Sequence, residues 1–168
     1  MINAIVAVDS NQGIGINNSL PWPHLHYDML WFKNMTDGQY ILMGRNTWDD
    51  PKMRKPLPDR INCVITNQPI ACPQVRKFSG DYISHIKNLQ QLYPQKNIFV
   101  IGGPKIIMEC KDLIDYAYVT HRKGAAFSDV RIDLKAFMTG MRITSSRPSS
   151  DKMLNFSIYK NVDIFRPL

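Results

Sequence analysis

Cysteine is scarce in this chain. Cys63, Cys72 and Cys110 are its only three. An odd number cannot pair completely, and their spacing fits no metal-binding pattern. A disulfide scaffold is excluded, and reduced packing residues of a cytoplasmic protein are expected. The four histidines contain no H-x-x-x-H pair, so no metal is predicted. No apolar run is long enough to span a membrane. Met1 to Val8 lacks a basic start and meets Asp9 quickly, so it reads as a strand and not as a targeting signal. Acid is the scarcer charge: 21 Lys and Arg against 14 Asp and Glu leave +7. That surplus favours anionic partners, phosphorylated small molecules among them. The basic residues are scattered, with only short groups at Lys52 to Lys55 and at Arg122-Lys123. A nucleic-acid protein would concentrate them on one face, so no nucleic-acid partner is expected. No repeat, linker or low-complexity segment breaks the chain. Its 168 residues, 44% of them hydrophobic, suit one domain spanning 1–168.

What is present alternates strand and helix. Ile2 to Val8 is a buried strand, followed by a long loop through Gly13-Ile14-Gly15. The glycine pair tempts a dinucleotide fingerprint, but Asn18 stands where the third glycine belongs, and Pro21 and Pro23 interrupt any helix. A loop this long suits a lid or binding loop. Further strands are predicted at Tyr40 to Met43, Ile61 to Thr66, Val75 to Phe78, Asn97 to Ile101 and Tyr116 to His121. A helix is predicted over Tyr82 to Leu92 and another over Ile106 to Leu113. The last region reads as antiparallel strands, Met141 to Ser145 and Met153 to Tyr159, with Val162 to Phe165 extending the sheet. The predicted fold is α/β: one domain with a mixed, mostly parallel central sheet, flanking helices and an antiparallel C-terminal edge.

The stretch from Pro21 to Lys33 stands out. After Pro23, Leu25, Asp28, Trp31, Phe32 and Met35 share one helical face, and a helix to about Thr36 is predicted. Four of the five are apolar, so Asp28 is drawn inward among aromatics. Such an acid is a functional-site candidate, and its pKa rises unless donors or a cation compensate. It equally fits a first-turn acid complementing the helix dipole. Two glycine turns add to the picture. Gly44 ends a strand before Arg45-Asn46-Thr47, a fork of donors at a helix start. Gly102-Gly103 separates a buried strand from a helix opened by Pro104, another place where an anion could sit.

These pieces in this order resemble dihydrofolate reductase. The matching segments are Ile5-Val6-Ala7, Gly15, Leu20-Pro21-Trp22, Asp28 with Trp31-Phe32-Lys33, Met43-Gly44-Arg45-Asn46-Thr47-Trp48, Pro56-Leu57-Pro58-Asp59-Arg60, Val100-Ile101-Gly102-Gly103 and Tyr118-Val119-Thr120-His121. The last quarter matches only in length and strand pattern. The resemblance implies NADPH-dependent reduction of 7,8-dihydrofolate to tetrahydrofolate, in a cytoplasmic monomer that also binds antifolates. It places Asp28, Trp22 and Thr120 at the chemistry. Ile5, Ala7, Met29, Phe32 and Ile101 would wall the pterin pocket. Leu57 would meet the benzoyl ring, and Arg60 the glutamate α-carboxylate. On the cofactor it places Ala7, Ile14, Gly15, Leu20, Gly44, Arg45, Asn46, Thr47, Thr66, Asn67, Ile101, Gly102, Gly103, Pro104 and Lys105. Thr66 and Asn67 belong to the adenosine end, and a cis peptide to Gly102-Gly103. The loop from Asn11 to Leu20 would be the lid.

The chain departs from the family pattern in places. Ile107 stands where a tyrosine is frequent. The segment between Trp22 and Asp28 is one residue longer than in common bacterial forms, which would bring Tyr27 toward the pocket. A related pyrimidine reductase of riboflavin synthesis shares the architecture and cofactor but would not need Pro21-Trp22 with Asp28. A folate-binding protein without turnover is the non-enzyme alternative.

Overall fold

β1 (Ile2–Val8) lies inside an eight-stranded sheet and alternates its side chains between two cores. Ile2, Ala4, Val6 and Val8 face one, with Ile98, Val100, Ile107 and Phe137. Ile5 faces the other, with Trp31, Ile41, Met43 and Phe99. Period-two alternation of this kind follows from the pleat. These features come from a computed structural model that describes residues 1–15, 26–125 and 128–164.

The other strands are β2 (Gly13–Gly15), β3 (Tyr40–Gly44), β4 (Ile61–Ile65), β5 (Arg76–Phe78), β6 (Ile98–Gly102), β7 (Tyr116–Arg122), β8 (Val130–Arg131), β9 (Met141–Pro148) and β10 (Leu154–Asn161). The large sheet has the order β5-β4-β3-β6-β1-β7-β10-β9. Every pair from β5 to β7 is parallel, and β10 runs antiparallel to both β7 and β9. Parallel strands covered on both faces need continuous apolar runs, and β3 is buried throughout. The register of β3 against β6 slips beside Ile101: Leu42 faces Val100, whereas Met43 faces Gly102. Such an irregularity re-aims a side chain, and Ile101 turns into the cavity described below.

Five helices complete the described structure: α1 (His26–Thr36), α2 (Arg45–Trp48), α3 (Tyr82–Leu92), α4 (Pro104–Glu109) and α5 (Leu134–Met138). α1 is held by its aromatic face. Trp31 is buried and stacks on Phe156 of β10 at 4.9 Å between ring centroids. α3 is capped by Asp81, whose carboxylate accepts from the Ser84 N–H at 3.2 Å. Proline at the first turn of α4 costs no hydrogen bond, because that N–H has no helical acceptor; a short 3₁₀ turn, Lys111–Leu113, follows.

Several expectations change. The loop after β1 is not wholly irregular, since Gly13 and Gly15 pair with Arg131 and Val130. Asp9 sets up this turn by accepting from the Asn11 and Gly13 amides, both at 2.8 Å. Phe165 of the expected extension lies outside the described residues, among which the sheet ends at Asn161. There Asn161 donates to the Ile114 carbonyl and accepts from the Asp163 N–H, and the chain bends away. β9 is longer than expected and reaches Pro148. α5 was not foreseen; Asp133 caps it through the Ala136 N–H at 3.0 Å. Cys63 and Cys110 are buried thiols, each pushed up to about 12 by burial, which makes them packing residues and not nucleophiles. Among the described residues no helix is long and apolar enough to cross a membrane.

Candidate active site

A cavity of about 1110 Å³ opens along the carboxyl ends of β1, β3 and β6, between the sheet and α1. Ligands of open α/β sheets bind beyond these strand ends. The volume exceeds the usual range for a single drug-sized ligand, roughly 300–1,000 Å³.

α1 forms one wall. Asp28, Met29 and Phe32 reach the cavity, and so does the buried Trp31. Asp28 is half-buried, as its place on the apolar face predicts, while Met29 is 54% exposed and sits at the mouth. Tyr27 does not enter the cavity. Its ring meets His26 edge-on at 5.7 Å, so the longer segment before Asp28 leaves the pocket uncrowded by this side chain. Ile5 and Ala7 of β1 and Ile101 of β6 form the floor. Thr120 on β7 is buried beside them, because the parallel register sets it opposite Ala7.

Leu57 and Arg60 come from the turn before β4 and line the same cavity. Their loop is held by Asn62, a buried side chain that sequence reasoning passed over as a strand residue. Its amide oxygen accepts from the Leu57 N–H at 3.0 Å, and its nitrogen donates to the Leu57 and Arg60 carbonyls at 2.9 and 3.1 Å. Arg60 itself lies over the Phe32 ring at 5.9 Å. Its Nε and Nη1 are buried, and neither has a hydrogen-bond partner among the described residues. Burial draws its pKa below the ordinary arginine value, opposed by the charges of Asp37 and Asp59. A buried guanidinium with unsatisfied donors is a receptor for a carboxylate.

The opposite side is made of two glycine turns brought together. A Cβ on Gly44 would stand 3.2 Å from Ile106 Cγ1 and 3.8 Å from the Gly102 carbonyl oxygen. The end of β3 and the start of α4 therefore form one surface that only a small residue permits. Gly102 has φ +133°, a conformation that favours glycine, and the Gly102–Gly103 peptide is cis, as the resemblance implied. The Thr47 hydroxyl lies over this peptide, 3.5 Å from where a Gly102 Cβ would be. Arg45, Asn46, Thr47, Pro104 and Lys105 all line this side, with Ile14 of β2 above.

Not every predicted residue joins. Thr66 and Asn67 do not reach the cavity. In the turn after β4 their side-chain oxygens accept backbone bonds: the Thr66 hydroxyl from the Gln68 N–H at 3.1 Å, and Asn67 Oδ1 from the Gly80 N–H at 3.3 Å. The backbone of Gly15 pairs with Val130 of β8. Leu20 and Trp22 lie outside the described residues. Ile107, where the family often has tyrosine, is fully buried and gives that wall an apolar surface. Two lining residues were missed at the far rim. The Tyr82 hydroxyl donates to Glu109, and Lys105 pairs with the same carboxylate at 3.9 Å. Tyr82 had read only as a helix-packing residue, and no local pattern links it to Glu109. Among the described residues no group of His, Cys, Asp or Glu could hold a metal ion.

The family model described as dihydrofolate reductase matches residues 1–160. A dihydrofolate reductase of Bacillus subtilis is 36% identical over 122 residues, covering 71% of this chain and 68% of that protein. One of Buchnera aphidicola is 40% identical over 120 residues, 71% of each. The solved dihydrofolate reductase from Enterococcus faecalis complexed with NADP(H) and RAB-propyl superposes with a TM-score of 0.81 at 26% identity, over 95% of both chains.

Proposed function

The chain belongs to the dihydrofolate reductase family, and from that premise we propose how its own residues carry the family's reaction, the NADPH-dependent reduction of 7,8-dihydrofolate to tetrahydrofolate. NADPH supplies the hydride that reaches C6 of the pterin, while N5 gains a proton. The cavity fits both molecules, with a carboxylate-bearing wall on one side and a glycine floor with basic donors on the other.

In this reading the α1 wall takes the pterin. Asp28 accepts hydrogen bonds from the pterin 2-amino group and N3, and the negative charge it keeps beneath the ring favours protonation at N5. Thr120 supports that carboxylate from β7. Ile5, Ala7, Phe32 and Ile101 keep the slot apolar, which excludes water from the hydride path. Arg60 takes the glutamate α-carboxylate, with Leu57 against the benzoyl ring. Gly44, Arg45, Asn46 and Thr47 take cofactor phosphates, and Gly102 and Gly103 let the nicotinamide half approach closely. Ile14 of β2 meets it from above.

The observation that carries this reading is the placement of Asp28. It is the acid of an apolar helical face, and it opens into the same cavity as the Gly44 and Gly102 turns. The pyrimidine-reductase alternative leaves that acid unexplained. The experiment is the pH dependence of turnover in Asp28→Asn. Turnover falls by about two orders of magnitude at neutral pH, the usual worth of a positioned acid–base group. The loss shrinks at acid pH, where substrate arrives already protonated. An unchanged rate at neutral pH would remove Asp28 from this role.

We further propose one domain spanning 1–168, acting as a cytoplasmic monomer with no nucleic-acid partner. Antifolates would bind in the pterin half of the cavity. The scattered basic residues support the absence of a nucleic-acid partner, and the one eight-stranded sheet supports the single domain.

A further inference from the structure

Arg45 is held from two sides by the protein. Its Nε donates to both oxygens of Asp49, at 3.2 and 3.1 Å. Its Nη1 donates to the Pro69 carbonyl at 3.1 Å, in the loop after β4. One guanidinium thus bridges α2 to the turn that carries Thr66 and Asn67. Arg45 lines the cavity and Asp49 does not.

A guanidinium carries five N–H donors in a fixed plane. These contacts use the Nε edge and one Nη1 hydrogen. Nη2 takes part in neither of them, and its donors are left for a phosphate. The Arg45–Asp49 pair is 31% and 48% exposed, and exposed pairs of this kind contribute little to stability. Its consequence is orientation. Arginine loses considerable rotamer freedom when a ligand immobilises it, and freezing it beforehand removes that cost from binding.

We propose that Asp49 is a positioning residue for the cofactor: it fixes Arg45 so that its Nη2 donors meet the adenosine-ribose phosphate that distinguishes NADPH from NADH. The inference rests on the reading of Arg45 as a phosphate ligand. The tie to Pro69 draws the guanidinium toward the turn after β4, and this choice of phosphate rests on the expectation that the adenosine end lies along that turn, outside the cavity. NADH lacks that phosphate and gains nothing from the arrangement.

The test titrates NADP⁺ and NAD⁺ calorimetrically against the full chain and its Asp49→Ala, Asp49→Asn and Arg45→Ala variants, alongside steady-state kinetics with NADPH. Asp49→Ala weakens NADP⁺ about three- to tenfold, the cost of ordering one long side chain. NAD⁺ affinity, turnover at saturating NADPH and melting temperature hold. Asp49→Asn, whose amide oxygen still accepts from Nε, recovers most of the loss. Unchanged or tighter NADP⁺ binding in Asp49→Ala, while Arg45→Ala loses it, overturns the positioning role and leaves the phosphate ligand standing. Equal losses for NADP⁺ and NAD⁺ with a lowered melting temperature mark a merely structural contact and overturn it too. An unchanged NADP⁺ preference in Arg45→Ala overturns both readings.

Discussion

Arg60 shows how a single side chain can be incomplete without its ligand. Its buried Nε and Nη1 find no acceptor among the described residues, and the Phe32 ring covers its face. In this account the missing acceptor is the substrate's glutamate carboxylate. Arg60→Ala should raise the KM for dihydrofolate at least about 30-fold, since truncating one member of a buried charge pair costs roughly 2–5 kcal/mol. A pterin lacking the glutamate tail should be reduced equally well by both proteins. If both substrates suffer alike, Arg60 is not the tail receptor. His121 makes a different prediction at the same scale. Its Nε2 lies 3.1 Å from the Tyr159 hydroxyl, and burial holds its pKa below the ordinary 6.5. The unfolded chain therefore takes up a proton near 6.5 that the folded chain refuses until lower pH. Stability is fully present above that value and is lost as pH falls below it. Between about pH 7.5 and about pH 5.5 the urea midpoint of the wild type should fall further than that of His121→Gln. Equal falls would contradict the assignment.

At the scale of elements, α1 depends on one stack. Trp31 packs on Phe156 at 4.9 Å and meets Tyr118 at 6.3 Å, so β10 fixes the height of the helix that carries Asp28. Phe156→Ala should destabilise the protein by about 3–5 kcal/mol, read as a lowered urea midpoint at constant m. A loss below about 1 kcal/mol would show that α1 is anchored elsewhere. α1, the buried strands and the glycine turns were legible in the sequence because each is a local pattern: a helical face, an apolar run, a Gly-Gly-Pro break. The pairing of Gly13 and Gly15 with β8 was not, because its partners are over a hundred residues apart and the strands are three and two residues long. The five residues of α5 are too few to show a period. At the adenosine end, Thr66 and Asn67 matched by position. Their side-chain oxygens accept from the Gln68 and Gly80 amides, contacts that no local pattern discloses.

For the whole molecule, the order of the sheet decides what meets what. Asp28 before β3, Arg60 before β4, Gly102 at the end of β6 and Thr120 on β7 are scattered along the chain. Parallel crossovers and the β1–β7 register bring them to one cavity. The resemblance named the members of that cavity on the strand and turn sides. It did not disclose Asn62, which clamps the Leu57–Arg60 loop, or Tyr82 and Glu109 on the rim, since those relations exist only after folding. The surplus of seven positive charges suits a phosphorylated cofactor and a substrate with a carboxylate tail. The central claim is that this cavity holds both molecules together for hydride transfer. The most direct measurement follows the absorbance of the reduced nicotinamide. With NADPH alone the purified chain should leave it constant, and adding dihydrofolate should make it fall in proportion to enzyme. A constant absorbance with dihydrofolate present and bound would contradict the account and identify a folate-binding protein without turnover.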